Sequence, residues 1–316
     1  MPIMTTGQLA YEYEYVNEQV RDFWEDGGAY MPVYPMLFKE RAIAQARHED
    51  VPRAGVGKFS SAVESEDVVY DSLYEGKKGT ALLIQYHQGF AVTERAKRMK
   101  ISRDIMRAGI SSIATARDVT LDSIAADLLN YAFLTTKYVY RDALAICSTA
   151  HEYIRPGAGT GSNRSANGTD IGEGSLEQAI TDIDLIKTDE GFPGSVVADR
   201  GVIHPSQKFS WERATMSMQQ PGSANNDINA LKSRGYLQGK PIEWKMLSST
   251  RAWFILTKGY GSDGLLMYKH SEDSDTPIPY IDEKNGNTYV RSVMFRAAYV
   301  RNWRAIYGNS GGSVVV

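Results

Sequence analysis

The chain has 316 residues, of which 42% are hydrophobic and 23% are charged, and its formal net charge is -3. This composition is typical of a globular protein with one large domain or two smaller ones, and the charge does not indicate a nucleic-acid-binding protein. No apolar run approaches the roughly 20 residues of a membrane span, so we predict no membrane partner. The single cysteine, Cys147, excludes an internal disulfide and suits a reducing cytoplasm.

The N-terminal segment is predicted to hold one amphipathic helix. Gly27 and Gly28 end it, and the stretch from Met31 to Pro35 follows as extended chain, because a proline disfavours helix at the residue before it. The predicted stripe on one helix face consists of Tyr15, Val16, Gln19, Val20, Phe23 and Trp24.

The stretch from Gln45 to Gln88 is predicted to be an extended, polar hairpin. A two-stranded ribbon is marginal in water unless something covers it, so the stretch is either disordered or covered by a neighbouring subunit. Mixed charges along it suit polar contacts with another copy, whose complementarity would set the register, and a solvated loop without a partner is the alternative. These charges are Arg47, Arg53, Lys58, Lys77 and Lys78 against Glu49, Asp50, Glu64, Glu66 and Asp67.

A strand and a long helix are predicted next. Alternation places Leu82, Ile84, Tyr86, Phe90 and Val92 on one face, which we expect to be buried. Residues 102–133 contain no proline and one glycine, and their apolar spacing predicts a helix of roughly 45 Å that lies along the protein as a spine. The apolar positions of that helix are Ile110, Ile113, Leu121, Ile124 and Leu128, interrupted by Arg117.

The second half of the chain begins with a loop, residues 155–169, which is the best candidate for a hinge. Its two glycosylation sequons, at Asn163 and Asn167, are interpreted as exposed loop. Ser175 is predicted to be the N-cap of a second helix. The longest strand is predicted from Tyr289 to Tyr307, with odd positions facing inward, as the backbone of a sheet rather than its edge.

Motifs with catalytic residue types lack the context that their chemistry needs. Ser310 matches a nucleophile motif, but no helix or histidine follows it, and a flexible tail is the simpler interpretation. Ser148, Cys147 and His151 are near one another in sequence, which does not make a triad. We therefore predict no catalytic, cofactor-binding or metal-binding residues, and a protein that is not an enzyme.

The order of these elements, together with four segments, resembles the major capsid proteins of tailed phages with the HK97-type fold, in particular the Mu-like head subunits. Glu75–Lys78 followed by Ile84–Thr93 is similar to the return strand of that group. Ala145–His151 resembles its segment after the spine helix, although Glu152 stands where proline is usual. Ser175–Ala179 and Arg301–Gly308 are similar to its later landmarks.

The resemblance implies an α+β fold with named parts. These are an N-terminal arm (1–44), an E-loop hairpin (45–88), a P-domain (89–170) with the spine helix near 102–133, an A-domain (171–285), a P-domain return strand (286–308) and a C-terminal tail (309–316). The E-loop would lie over a neighbouring P-domain. The expected assembly contacts are Arg47, Arg53, Lys58, Phe59, Glu64, Glu66, Lys77 and Lys78 in the hairpin, and Tyr15, Phe23 and Trp24 in the arm.

The function implied is a structural subunit that forms hexamers and pentamers of a phage head around double-stranded DNA. The implied partners are further copies of the chain, a separate scaffolding protein, a portal at one vertex, non-specifically contacted DNA and, as an open addition, a decoration protein. The implied location is the virion, and the host cytoplasm during assembly. Three alternatives stay open: an encapsulin-like nanocompartment shell, a serine hydrolase that uses Ser310 or Ser148, and a soluble adaptor with a flexible loop.

Overall fold

The computed structural model describes residues 6–64, 67–219, 228–237, 239–273, 276–282 and 284–312. Within these residues the α-helices are α1 (Thr6–Glu25), α2 (Glu94–Arg98), α3 (Ser102–Asn130), α4 (Glu173–Asp184), α5 (Lys208–Met216) and α6 (Ala230–Arg234). Short 3-10 turns cover Tyr34–Met36, Pro205–Gln207, Ser262–Gly264 and Trp303–Ala305.

The strands described are β1 (Lys39–Ile43), β2 (Arg47–Asp50), β3 (Arg53–Ala54), β4 (Tyr74–Glu75), β5 (Gly79–Leu82), β6 (Ile84–Val92), β7 (His151–Glu152), β8 (Thr160–Gly161), β9 (Val196–Ile203), β10 (Ile242–Glu243), β11 (Trp253–Gly259), β12 (Leu265–His270), β13 (Ile278–Ile281), β14 (Thr288–Val300) and β15 (Ile306–Asn309). The mixture of helices and mainly antiparallel sheets is the α+β class that was expected.

Helix α1 packs against its own chain through the predicted stripe. Val16, Val20 and Phe23 are buried in a cluster that includes residues of α3, β6 and β13, and Gly27 follows the helix with a φ of +73°. Tyr15 was expected on the same face but is 52% exposed. The following segment also differs from the prediction, because Pro35 lies inside a 3-10 turn rather than in extended chain.

The helix α3 confirms the long helix that was predicted over residues 102–133. Its 29 residues correspond to about 43 Å at 1.5 Å per residue. All five predicted apolar positions are buried. The helix packs against α1 and β6 in one hydrophobic cluster and against β12 and β14 in another. Arg117 interrupts the apolar stripe, and its guanidinium lies 4.6 Å from the centre of the Trp24 ring.

A five-stranded sheet is organised around β14. One edge of β14 pairs with β6, and its other edge pairs with β13 and then β12, which in turn pairs in parallel with β1. A 13-residue strand with three partners is the backbone of its sheet, as predicted. The predicted burial of this face is only partly correct. Val92 is buried, but Ile84, the first residue of β6, is 54% exposed, and Leu82, the last residue of β5, is 61% exposed.

The predicted strand from Tyr289 to Tyr307 is two strands in two different sheets. After Val300 the chain turns through a 3-10 segment capped by Asn302, whose side chain accepts a hydrogen bond from the Arg304 N–H. It then continues as β15 in a four-stranded sheet of order β10-β9-β11-β15. Trp303 and Ala305 are buried within the turn, so the alternating pattern continues across a break that it cannot reveal.

Three further expectations are corrected by local contacts. Ser175 is not the N-cap of α4, because Gly172 occupies that position and the Ser175 hydroxyl accepts from the Gly172 N–H. Asn163 is not exposed loop but completely buried. Asn309 belongs to β15 and Ser310 is 7% exposed, so the chain up to Gly311 is packed and Ser310 does not lie in a flexible tail.

Candidate assembly surface on the hairpin

The polar stretch that the sequence singled out forms a two-stranded ribbon with an irregular tip. Strand β2 pairs with β5, β3 pairs with β4, and residues 55–73 connect them. At the root, Ala81 and Leu83 are buried against Leu266, Tyr268 and Ala297 of the five-stranded sheet. The root is therefore part of the core, while the far end depends on polar contacts.

The charges of the ribbon are paired within the chain. Arg53 lies 2.9 Å from Glu75, and Lys77 lies 2.8 Å from Glu152. Glu49 pairs with both Arg47 and Lys78, and the hydrogen bond from Lys78 holds the pKa of Glu49 below its usual value. Exposed pairs of this kind contribute about 0–1 kcal/mol each, so they orient the ribbon more than they stabilise it.

Two carboxylates hold the tip against the rest of the subunit. Asp71 forms an ion pair of 2.7 Å with Arg155 and accepts hydrogen bonds from the Gly57 N–H at 2.6 Å and the Ser72 N–H at 2.8 Å. Glu190 accepts from the Gly55 N–H at 2.7 Å. The hydrogen bond from Arg155, followed by the two backbone donors, lowers the pKa of Asp71 to about 2. We call the Asp71–Arg155 pair with its backbone donors the tip latch.

Beyond the latch the hairpin exposes a set of large apolar side chains. Phe59 is fully exposed and Tyr70 is 91% exposed. We call the set the apolar tip, and it consists of Phe59, Val63, Val68, Val69, Tyr70 and Leu73. Apolar residues gathered on one exposed segment are typical of surfaces that another protein covers.

The expected contact residues divide into four groups. Arg47, Arg53, Lys77 and Lys78 are paired within the chain, whereas Lys58, Phe59 and Glu64 are exposed near the tip. Glu66 lies outside the described residues. Of the arm residues, Tyr15 is half exposed, whereas Phe23 and Trp24 pack against residues of their own chain.

Sequence reasoning named Phe59 but missed the other exposed apolar residues of the tip. Val68, Val69 and Tyr70 form an apolar run inside an otherwise acidic stretch, and that run was the available signal. It was passed over because an isolated apolar run looks the same whether it is buried or exposed.

The catalytic alternatives find no support in the geometry. His151 is buried, with Nδ1 at 2.6 Å from Asp142 Oδ2 and Nε2 at 3.2 Å from the Ile146 carbonyl oxygen, so neither nitrogen serves Ser148. The ring also stacks on Trp303 with a centroid distance of 4.8 Å, which is a packing role. Burial raises the pKa of Cys147 to about 12, which disfavours a reactive thiolate.

The described residues offer neither a metal-binding cluster nor a membrane-spanning helix. No group of three or more histidine, cysteine, aspartate or glutamate side chains among them is arranged to hold a metal ion. None of the helices in the described ranges is both long and apolar enough to cross a membrane.

The fold, with a long helix packed against a central sheet and a hairpin that projects from the sheet, is similar to solved structures of phage capsids. The asymmetric unit of the mature capsid of bacteriophage PhiM1 matches with a TM-score of 0.54 at 8% identity, over 91% of this chain and 89% of that chain. The capsid of Ralstonia phage GP4 matches with a TM-score of 0.51 at 10% identity, over 89% and 88%. The acid-stable capsid of Helicobacter pylori bacteriophage KHP30 matches with a TM-score of 0.50 at 10% identity, over 86% of each chain.

No family model and no curated protein matches the sequence. At identities of 8% to 10%, the structural similarity establishes the fold, and the function has to be argued from the surface.

Proposed function

We propose that this chain is the major capsid protein of a tailed phage, of the HK97-type and Mu-like group, and that it builds the hexamers and pentamers of a head around double-stranded DNA. The observation that carries the proposal is the apolar tip at the end of a ribbon whose root is part of the core. A subunit with this fold gains stability when a second subunit covers that tip. The hairpin would then be the E-loop, and α3 the spine helix of the P-domain.

The energetics of the tip favour association over a solitary subunit. Burying one large apolar side chain contributes about 1.5–3 kcal/mol. Phe59 and Tyr70, with the four smaller members of the apolar tip, therefore offer a substantial association energy at each contact. Repeated around a closed ring or shell, each subunit would both give and receive such a contact.

The charge of the chain is compatible with a container. With a net charge of -3, the protein does not carry the strongly basic surface that would bind packaged DNA tightly through counterion release. A scaffolding protein, a portal and a decoration protein would be the further partners, with the virion as the final location and the host cytoplasm as the place of assembly.

The test is assembly of the purified chain, followed by negative-stain microscopy and light scattering. We expect rings or shells from the unaltered protein, alone or with a co-expressed scaffolding protein. Replacing residues 58–70 by a short Gly-Ser linker keeps the paired strands, so we expect an unchanged circular dichroism spectrum and no shells. A chain that stays monomeric under all these conditions contradicts the proposal.

Point substitutions refine the test without shortening the hairpin. Phe59→Ser with Tyr70→Ser removes the largest apolar groups from fully exposed positions, so monomer stability should be unchanged while assembly is lost. The matched control, Phe59→Leu with Tyr70→Phe, keeps the apolar surface and should assemble. Shells that hold an enzyme in place of nuclease-protected DNA would point to the encapsulin-like alternative.

A further inference from the structure

A groove of about 580 Å³ lies beside the root of the hairpin, and its lining is basic. Residues of β5, β6, α3, β14 and the segment that follows α3 form its walls. The charged residues of the lining are Lys78, Lys137, Arg141 and Arg296, and no aspartate or glutamate of the described chain joins them. A concave site lined by charges of one sign attracts ions of the opposite sign, so this groove favours an anion.

Arg141 brings unpartnered donors to the lining. Its side chain is 6% exposed, and neither Nε nor Nη1 has a hydrogen-bond partner among the described residues. Its Nη2 donates to Asp50 Oδ2 at 3.1 Å and to the carbonyl oxygen of Arg301. A buried donor without an acceptor destabilises the fold, and a charged donor does so more strongly. The arginine therefore favours an occupant that supplies acceptor atoms.

The hydroxyl of Tyr299 is a second buried donor in the same lining. It has no hydrogen-bond partner in the described part of the chain. Burial raises the pKa of Tyr299 to about 12, and the charge of Arg141 is the first influence that acts in the opposite direction. The hydroxyl therefore keeps its proton at neutral pH, and it lies close enough to Arg141 for the two groups to serve one ligand.

The acid beside Arg141 does not balance the bases around it. Asp50 lies 3.1 Å from Arg141 Nη2 and is shared with Arg301 Nε at 3.4 Å. The same groups act on the nearby hydroxyl of Tyr268: burial and Asp50 raise its pKa, while Arg41, Arg301 and Arg141 lower it. Three guanidinium groups thus surround a single carboxylate, which leaves an excess of positive charge at this end of the groove.

We propose that this groove holds a small oxyanion of the phosphate class, bound by Arg141 and the hydroxyl of Tyr299. The guanidinium suits this ligand because it matches the oxygens of a phosphate in charge and in donor geometry. Lys78 and Lys137 pair with Glu49 and Asp127 and are about half exposed, so they attract the anion from solvent. The site lies within one subunit, and the inference does not depend on the proposed function.

Calorimetric titration of the unassembled full-length chain with sodium phosphate, at constant ionic strength, tests the site. We expect saturable binding of one phosphate to each chain. Arg141→Met keeps the length of the packed side chain but removes its charge and donors, so binding should weaken about tenfold or more. Arg53→Gln removes an exposed arginine farther along the ribbon and, as the control, should leave binding unchanged. Equal binding by the parent and Arg141→Met would overturn the proposal.

Tyr299→Phe provides a second test if Arg141→Met fails to fold. It removes a hydroxyl that has no partner in the described chain, so the melting temperature without phosphate should not fall. Phosphate should bind several-fold more weakly, because one donor is lost. Tyr280→Phe, at an exposed position on β13, is the matched control and should bind phosphate like the parent. Parent-like affinity in Tyr299→Phe would overturn the assignment of this hydroxyl.

NMR of the arginine Nε–H group locates the bound anion. The Arg141 resonance is assigned by its absence from the Arg141→Lys chain. We expect it to shift during the phosphate titration with the same midpoint that calorimetry gives, because a new acceptor changes the shielding of the donor proton. Phosphate binding that leaves this resonance unmoved would place the anion elsewhere and overturn the proposal.

Three further outcomes would also overturn it. A resonance that moves equally with chloride and with phosphate, at equal ionic strength, would show a general effect of anions. Binding that does not saturate, or that falls equally in Arg53→Gln, would show an adventitious ion only. A shift with a short DNA duplex but not with inorganic phosphate would assign the surface to nucleic acid. Because none of these measurements requires particles, their failure leaves the capsid function untouched.

Discussion

Asp122, in the middle of α3, accepts a hydrogen bond from the indole N–H of Trp244 at 3.2 Å across 122 positions of sequence. The same carboxylate accepts from the Val33 and Tyr34 N–H groups at 2.9 and 2.7 Å and from the Tyr30 hydroxyl at 2.6 Å. One completely buried carboxylate therefore joins the segment after α1, the long helix and the chain that follows β10.

Asp122→Ala should destabilise the subunit strongly. It leaves several donors without an acceptor, each costing about 1–3 kcal/mol when buried, so we expect a loss of about 3 kcal/mol or more in the free energy of unfolding. Urea denaturation measures it. Asp104→Ala, on an exposed position of the same helix, should change stability by about 0.5 kcal/mol or less. A similar effect of both substitutions would show that the network around Asp122 has no special role.

Gly109 is the glycine of the long helix and should resist replacement by alanine. A Cβ at this position would lie 2.5 Å from atoms of the Phe90 ring, so Gly109→Ala should cost about 1–3 kcal/mol through overpacking. In a Phe90→Ala background the clash is gone, and the same change should stabilise the helix by about 0.5–1 kcal/mol. Thermal or urea unfolding of the four chains in this cycle gives the sign, and stabilisation in the unaltered background would refute the prediction.

Asn163 holds the predicted hinge loop to the end of the chain. Its Nδ2 group lies 2.9 to 3.0 Å from the carbonyl oxygens of Ile146, Trp303 and Ile306, and its Oδ1 accepts from the Ser148 N–H at 2.8 Å. Asn163→Asp places a carboxylate oxygen against three carbonyls, so it should destabilise more than Asn163→Ala, by about 3 kcal/mol or more. Calorimetric melting of both variants at neutral pH decides the order.

The tip latch should respond to acid only at very low pH. The pKa of Asp71 is lowered to about 2 by the Arg155 hydrogen bond first and by the two backbone donors next. A lowered carboxyl pKa means that the latch contributes fully above the ordinary pKa of about 3.9 and is lost as the pH falls through about 2. Carbon-detected NMR titration of the carboxyl measures it, and Arg155→Gln should move the pKa of Asp71 upward.

At neutral pH the latch is opened by mutation or salt rather than by protons. Arg155→Gln should make the loop 55–73 a better protease substrate at low ionic strength, with the cleavage rates of mutant and parent converging at high salt, where exposed pairs are screened. Arg53→Gln, which breaks an exposed pair lower on the ribbon, is the matched control and should have a smaller effect. Equal protease sensitivity of the parent and the Arg155 variant would contradict the latch.

Regular periodicity made much of the fold predictable from the sequence. The spacing of the apolar residues from Ile110 to Leu128, in steps of three, eight, three and four, correctly located the long helix, and the stripe of Val16, Val20 and Phe23 located the first one. These elements are local, because each hydrophobic face is written into a stretch of consecutive residues. The hairpin was likewise predictable, since polar, glycine-punctuated chain between two strands has few other structures.

The prediction was wrong where a long-range contact decides the conformation. The strand breaks between β14 and β15 because the two halves of one alternating pattern pair in different sheets. The first half pairs in the five-stranded sheet and the second half in the four-stranded sheet. Asn163 looks like exposed loop in sequence and is buried because three carbonyls from distant segments converge on it. A groove of about 580 Å³ beside the hairpin root could not be predicted at all, because residues of β5, β6, α3, β14 and the segment after α3 line it together.

The sequence by itself determined where the chain is helical, where it is extended, and that one polar hairpin has too little core of its own. The tertiary structure decided which apolar and charged residues of that hairpin contact the rest of the chain and which remain exposed. Most charged side chains of the ribbon form ion pairs within the chain, while Phe59 and Tyr70 remain exposed. The reason is physical. Burial and ion pairing depend on which distant residues the fold brings close, and the alternation of residue types along a strand does not specify those residues.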